Sequence, residues 1–391
     1  MKKQRPALIF LVCYIAYVSI YIARLNLSMA SPALTETGVI NTAQIGLLGS
    51  MFSVIYACGR LLNGFLGDSR SPVFMICTGL TLCGAANILV GFLPPFVAMV
   101  VLWAANAYAQ SMLWSSILCV VTRIYDPLVA KRRTSLMVTS VATGNILGIV
   151  LNTLIISAFG VRFAFVIPGA FTLFMSLPVY LLTRSIGSES ASYGHHAPFS
   201  DLLHDSGVRK TVIPAVLHGV IKDNVSLWMT VYFVDTFKID LNQSSYFVLF
   251  IPVVGFAGRM LYPFFFKLCK EKQERVSLIF FLVCAFSCLP LFIGTPHPIV
   301  SAVCLGLIYA AVSVINTSIL SIFPLDYAES GNVASVSGIM DFSTYLGAGI
   351  GSFVFGLVID NFGYSPMYII WAAISVLSFV FMLLTRKKKS A

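Results

Sequence analysis

Apolar positions in this chain neither alternate nor fall on one narrow helical stripe. They run on, in stretches that each reach the roughly 20 residues of helix needed to cross a hydrocarbon layer. Such stretches recur near residues 7–34, 44–67, 73–93, 96–125, 133–159, 162–184, 209–236, 243–267, 274–294, 297–322, 330–359 and 363–385. The short alternating segments of a transmembrane barrel are missing. Pro and Gly interrupt several stretches, which is tolerated where neighbouring helices satisfy the freed backbone groups. The pattern predicts an all-α membrane protein with twelve transmembrane helices in two pseudo-symmetric six-helix bundles. Residues 1–184 form the first bundle, 185–208 a polar central linker, and 209–391 the second.

Composition sharpens this picture. Of 391 residues, 58% are hydrophobic and only 10% are charged, against about 25% charged in a soluble domain. So apolar a chain has lipid as its solvent. The first stretch is too long for a signal peptide and is read as a retained helix. The nine cysteines sit almost entirely in spans without a C-x-x-C spacing, which predicts small buried side chains and neither a metal site nor a disulfide framework. His195 and His196 lie in the linker with no further ligand spacing, so a solvated segment is the simpler reading.

The net charge of +10 suggests a nucleic-acid partner until its distribution is considered. Lys2, Lys3 and Arg5 precede the first helix, and Arg70 follows the second. Lys131, Arg132 and Arg133 lie at the fourth connection, and Arg209 and Lys210 border the linker. Lys267, Lys270, Lys272 and Arg275 lie at the eighth, and Arg386 through Lys389 close the chain. The opposite loops offer only Arg162 and Lys238. This asymmetry predicts a multi-pass protein of the plasma membrane with both termini cytoplasmic. Anionic lipid headgroups, not nucleic acid, are the expected partners of the basic loops.

The two halves repeat each other. R-L-N-L-S around Arg24 matches K-D-N-V-S around Lys222 at an offset of 198, and Gly59-Arg60 matches Gly258-Arg259 at 199. Parallel halves of this kind place a solute site at their interface near mid-membrane. Four basic residues, Arg24, Arg60, Lys222 and Arg259, and two acids, Asp223 and Asp341, lie well inside spans. Such charges are costly unless they face water or a partner. Arg24 shares a helix face with Tyr17, Tyr21 and Ser28, and Lys222 with His218 and Ser226. Two cations at equivalent places predict an anion site; the alternative is that each neutralises a structural carboxylate. Asp223 adjoins Lys222 but points about 100° away on a helix. Arg60 is open between binding and structure, and Arg259 is expected to snorkel toward the headgroups. Asn106, Gln110 and Trp114 form a polar stripe, as do Tyr309, Ser313 and Asn316, and Asp341 shares a face with Tyr345. These stripes face either a cavity or a neighbouring helix. Asp341 is open between proton carrier and ion-pair partner.

These residues resemble the organophosphate:phosphate antiporter family of the major facilitator superfamily, over most of the chain. YIARLNLSMASPAL is similar to the family's Tyr-x-x-Arg-x-Asn segment followed by Pro, which puts Tyr17, Tyr21 and Arg24 on pocket positions. YACGRLLNGFLGD resembles its second-helix run, with Arg60 in the basic place. Gln110, Met112 and Trp114 match a Gln-x-Met-x-Trp segment. GVIKDNVSLW sets Lys222 where the family has a second arginine, and Tyr309 and Tyr345 fall on family tyrosines. The resemblance implies the major facilitator fold and a monomer. It also implies a phosphoryl group held by one basic residue per half and exchanged for inorganic phosphate as the halves rock. Asn26 and Asn224, at matched places in the repeat, join the expected binding set. Departures are equally specific. Gly144 replaces a histidine of the bacterial members, Lys222 replaces the second arginine, and Asp223 and Asp341 are added acids. These open two alternatives: a proton-coupled symporter of another organic anion or zwitterion, and a non-transporting sensor. No nucleophile–base pair or cofactor motif argues for an enzyme.

Overall fold

In a computed structural model, residues 6–187, 199–238, 241–293 and 297–386 are described. His195 and His196, the N-terminal basic cluster and Lys387 to Lys389 lie outside them, as does the side chain of Ser226. The described residues are helical, without a strand. The helices are α1 (Pro6–Glu36), α2 (Thr42–Ser69), α3 (Pro72–Gly91), α4 (Phe96–Ser111), α5 (Leu113–Ile124), α6 (Pro127–Met137), α7 (Thr139–Phe159) and α8 (Phe163–Gly187). After them come α9 (Phe199–His204), α10 (Ser206–Phe237), α11 (Leu241–Leu268), α12 (Gln273–Ile293), α13 (Pro298–Asn316), α14 (Val333–Phe362) and α15 (Ser365–Arg386).

Fifteen helices make twelve crossings. α4 and α5 are parted only by Met112, and α6 and α7 only by Val138. Both residues keep helical dihedrals, so each pair runs as one span. α13 continues through a π turn (Thr317–Ile322) into a 3₁₀ turn (Phe323–Tyr327). α9 is a single short helix. The fifth crossing begins at Pro127 rather than near 133, because proline is well suited to the first helical position. Among the described residues, nine crossings are long and apolar enough by composition to span a membrane. The other three, α2, α10 and α11, carry Arg60, Lys222 and Arg259. Outward side chains are apolar, with Val97, Leu154, Phe174, Phe264, Phe286 and Ile299 each well exposed, as lipid contact requires.

Local chemistry sets the ends. Asn41 and Gln44 form a reciprocal capping box at the start of α2. Gly160 and Gly363, at φ +91 and +75, stop α7 and α14 in a backbone region where a side chain is strained.

The chain divides into two compact units, Met1–His196 with Leu325–Gly338, and Ala197–Pro324 with Ile339–Ala391. In the first, α3 packs on α8 and α4, α1 on α7, α8 and α5, and α2 on α4. In the second, α12 packs on α15 and α13, α10 on α15 and α13, and α11 on α13. Crossing for crossing, most of these pairs repeat. Gly59 faces Tyr108 and Ser111, and its counterpart Gly258 faces Ala310, each admitting a neighbouring helix to close range.

Residues 325–338 cluster with the first unit through identifiable contacts. Asp68, at the end of α2, accepts the Ala334 and Ser335 N–H groups at 2.8 and 2.7 Å. A carboxylate on unpaired first-turn amides meets both their hydrogen-bonding need and the positive end of the helix dipole. Lys131 forms an ion pair with Asp326. Asp68→Ala is expected to cost about 1–2 kcal/mol. The measurement is a lowered thermal unfolding midpoint in detergent, with Asp68→Glu retaining part of the stability.

Candidate functional site

The first unit surrounds Arg24 with aromatic rings. The guanidinium lies 4.6 Å from the Phe52 ring centroid, 4.7 Å from Tyr56 and 5.8 Å from Tyr21. Tyr17 extends the cluster, edge-on to Tyr21 at 5.4 Å and tilted on Trp114 at 5.1 Å. Tyr17 and Trp114 are buried, while Arg24 and Tyr21 are half-buried. Each cation–π contact contributes about 0.5–2 kcal/mol, more where water is excluded. Stacking occupies the flat faces of a guanidinium, whereas its N–H donors lie in the plane, so a stacked arginine directs hydrogen bonds edgewise. Arg60 is buried, with its guanidinium 5.7 Å from the other neighbour of this cluster, the Tyr56 ring.

Phe52 and Tyr56 were not singled out from the sequence. The signal existed: Phe52, Tyr56 and Arg60 stand four residues apart on one face of α2. It was masked because an aromatic stripe at that spacing reads first as core.

Two other predicted residues, Asn26 and Gln110, belong to a hydrogen-bonded network beside this cluster. Asn26 donates to Asn87 Oδ1 at 2.7 Å; Asn87 donates to Asn106 Oδ1 at 3.2 Å; Gln110 donates to the same oxygen at 3.1 Å. Asn87 also donates to the Cys83 carbonyl at 2.9 Å. All four side chains are buried. They form a carboxamide chain joining α1, α3 and α4, one turn or less from Arg24 and Trp114. The structure thus engages Asn26 and Gln110 with protein groups.

Gly144, on α7, has a packing role. A Cβ added there would stand 2.5 Å from Tyr21 Cβ and 3.1 Å from the Val18 carbonyl oxygen. The missing side chain lets α1 approach α7 and seats Tyr21 beside Arg24. Asn152 reinforces the same contact by donating to the Ile22 carbonyl at 3.0 Å.

The second unit treats Lys222 differently. Its Nζ lies 2.8 Å from Asp223 Oδ1 and 5.5 Å from the Tyr345 ring centroid. The expectation that Asp223 points away from Lys222 is therefore corrected. The two Cα–Cβ bonds diverge on the helix, but the four-carbon lysine stem bends round to the carboxylate. His218, one turn earlier, is fully buried, with Nε2 2.9 Å from the Val312 carbonyl oxygen. A carbonyl only accepts, so Nε2 carries the proton of that bond. Asn224 is also engaged: it donates to the Val220 carbonyl at 2.8 Å and accepts from Trp228 Nε1 at 3.2 Å. Tyr309 and Tyr345 are half-buried, and the Tyr309 ring lies over Gly255. Asp341 is buried. No cluster of three or more potential metal ligands occurs among the described residues.

Comparison with known proteins agrees with this architecture. The family profile described as Major Facilitator Superfamily matches residues 13–340. A protein of Chlamydia muridarum named "Probable hexose phosphate transport protein" is 22% identical, over 96% of this chain and 90% of its own length. "Membrane sensor protein UhpC" of Escherichia coli is 32% identical, but over only 28% of this chain and 25% of its own length. The crystal structure of the transporter FucP in the outward conformation superposes with a TM-score of 0.78 at 18% identity, covering 96% of this chain and 98% of that one.

The seat of Tyr21 generates a test. Gly144→Ala is expected to destabilise the first unit by about 1–3 kcal/mol, because the added methyl meets backbone and a Cβ rather than a flexible chain end. Thermal unfolding of the purified protein in detergent reads this out. An unchanged midpoint would remove Gly144 from the account.

Proposed function

Because the chain belongs to the Major Facilitator Superfamily, we propose that it is a secondary active transporter exchanging an organic phosphate for inorganic phosphate by alternating access. One observation carries the reading: an arginine inside a span, Arg24, has aromatic rings against its guanidinium. That arrangement fixes a fork of N–H donors, which suits the oxygen atoms of a phosphoryl group. The second unit contributes Lys222, a point charge on the equivalent crossing, with Tyr309 and Tyr345 as neighbouring hydroxyls. Tyr17, Tyr21 and Arg60 belong to the same binding set. The phosphorylated cargo named for the Chlamydia relative supports the choice among anions. The basic connections support a plasma-membrane protein with cytoplasmic termini.

A second reading is favoured by the likeness to a protein named as a sensor: ligand binding without flux, signalled to a partner protein. A third, proton-coupled uptake of another organic anion, rests on the buried acid Asp341.

Proteoliposomes of the full chain loaded with inorganic phosphate separate these readings. Exchange for labelled external phosphate is expected, with Arg24→Ala lowering it about 100-fold or more and Arg24→Lys retaining a fraction. Full exchange in the alanine variant would sink the site assignment. Phosphate binding without flux would favour the sensor. Absence of phosphate exchange, with acid-driven uptake of another anion lost in Asp341→Asn, would favour the symporter.

A further inference from the structure

Each unit carries a cation inside a crossing, Arg24 in the first and Lys222 in the second. Arg24 is laid against aromatic rings supplied by α1 and α2. Lys222 is given a carboxylate by the next residue of its own helix, at 2.8 Å. An ion pair between adjacent residues ties no two helices together, so packing does not explain it. The carboxylate is also the more open partner, with its side chain 41% exposed against 19% for the lysine. Other groups lie within electrostatic reach of the ammonium: His218 on α10, Arg259 on α11, Tyr309 on α13 and Tyr345 on α14. Apart from Asp223, these groups are cationic or neutral.

From this geometry we infer that Asp223 is a tethered stand-in for the solute's anionic group. It occupies Lys222 when no solute is bound and is displaced when a solute anion takes its place. The inference rests on the phosphate reading of the same site and deepens it. An isolated ammonium is expensive in a low-dielectric interior. A carrier whose cation could be matched only by cargo would therefore reorient only when loaded, giving strict exchange. A carboxylate on the same helix satisfies Lys222 in the empty protein, so the empty carrier also reorients. Asp223 thus weakens anion binding by direct competition and adds net transport to exchange.

The test uses full-length protein in proteoliposomes, with inorganic phosphate as the probe. Exchange is measured in phosphate-loaded vesicles and net uptake in phosphate-free ones, with phosphate binding to detergent-purified protein followed calorimetrically. Asp223→Asn is expected to bind phosphate about tenfold more tightly and to lose net uptake at least tenfold relative to exchange. Asp223→Glu keeps the parental ratio. Asp223→Ser, smaller and also uncharged, serves if the asparagine variant fails to fold. Parental affinity and an unaltered ratio in a folded neutral variant, with the parent exchanging phosphate normally, would overturn the inference and leave the transport reading intact. No phosphate exchange or binding in either parent or variant would sink both.

Discussion

A charge placed inside a membrane span must be met by something, because lipid offers it nothing. That constraint orders this protein. Four basic side chains and two acids sit within crossings of an otherwise apolar chain. Three of the basic side chains have recorded neighbours that offset the cost: rings around Arg24, the Tyr56 ring by Arg60, a carboxylate at Lys222. The helices that bear the charges are held by features that permit close approach, among them Gly144 against Tyr21 and Gly59 against α4. Packing is thus arranged around the polar groups, and the outward faces are left to the apolar side chains.

The repeat makes the difference between the units informative. The two halves share their order of crossings and most of their neighbour pairs. The glycine that seats the second crossing on the fourth has its counterpart in the eighth against the tenth. Against so much shared construction, the two cations stand apart. Aromatic rings hold a guanidinium without cancelling its charge, whereas a carboxylate does cancel an ammonium.

Much of this was legible in the sequence. Run length alone set twelve crossings, since no other solvent suits such stretches, and charge-bearing matches at a near-constant offset exposed the repeat. The helical face shared by Arg24, Tyr17 and Tyr21 followed from spacing. What escaped was whatever depends on reach or on a second helix. Phe52 and Tyr56 become partners of Arg24 only once the fold brings the rings of α2 to the guanidinium on α1. The pairing of Lys222 with Asp223 depends on side-chain length, which helical angles do not record. The protein partners of Asn26, Asn224 and Gln110 escaped too, because polar side chains in spans face either a cavity or a neighbour, and spacing does not distinguish the two. The attachment of residues 325–338 to the first unit depends on Asp68, distant in sequence, finding two open amides at the start of α14.

The carboxamide chain of Asn26, Asn87, Asn106 and Gln110 has a consequence of its own. It braces the helix that carries Arg24 with groups that both donate and accept, and none of them gains or loses a proton near neutrality. The bracing is therefore indifferent to the acidity of either compartment. A phosphate monoester is not: its second ionisation falls near pH 6, so acidification turns a dianion into a monoanion. For the phosphate monoester proposed above as cargo, a pH dependence would thus arise from the solute's own ionisation and not from this bracing.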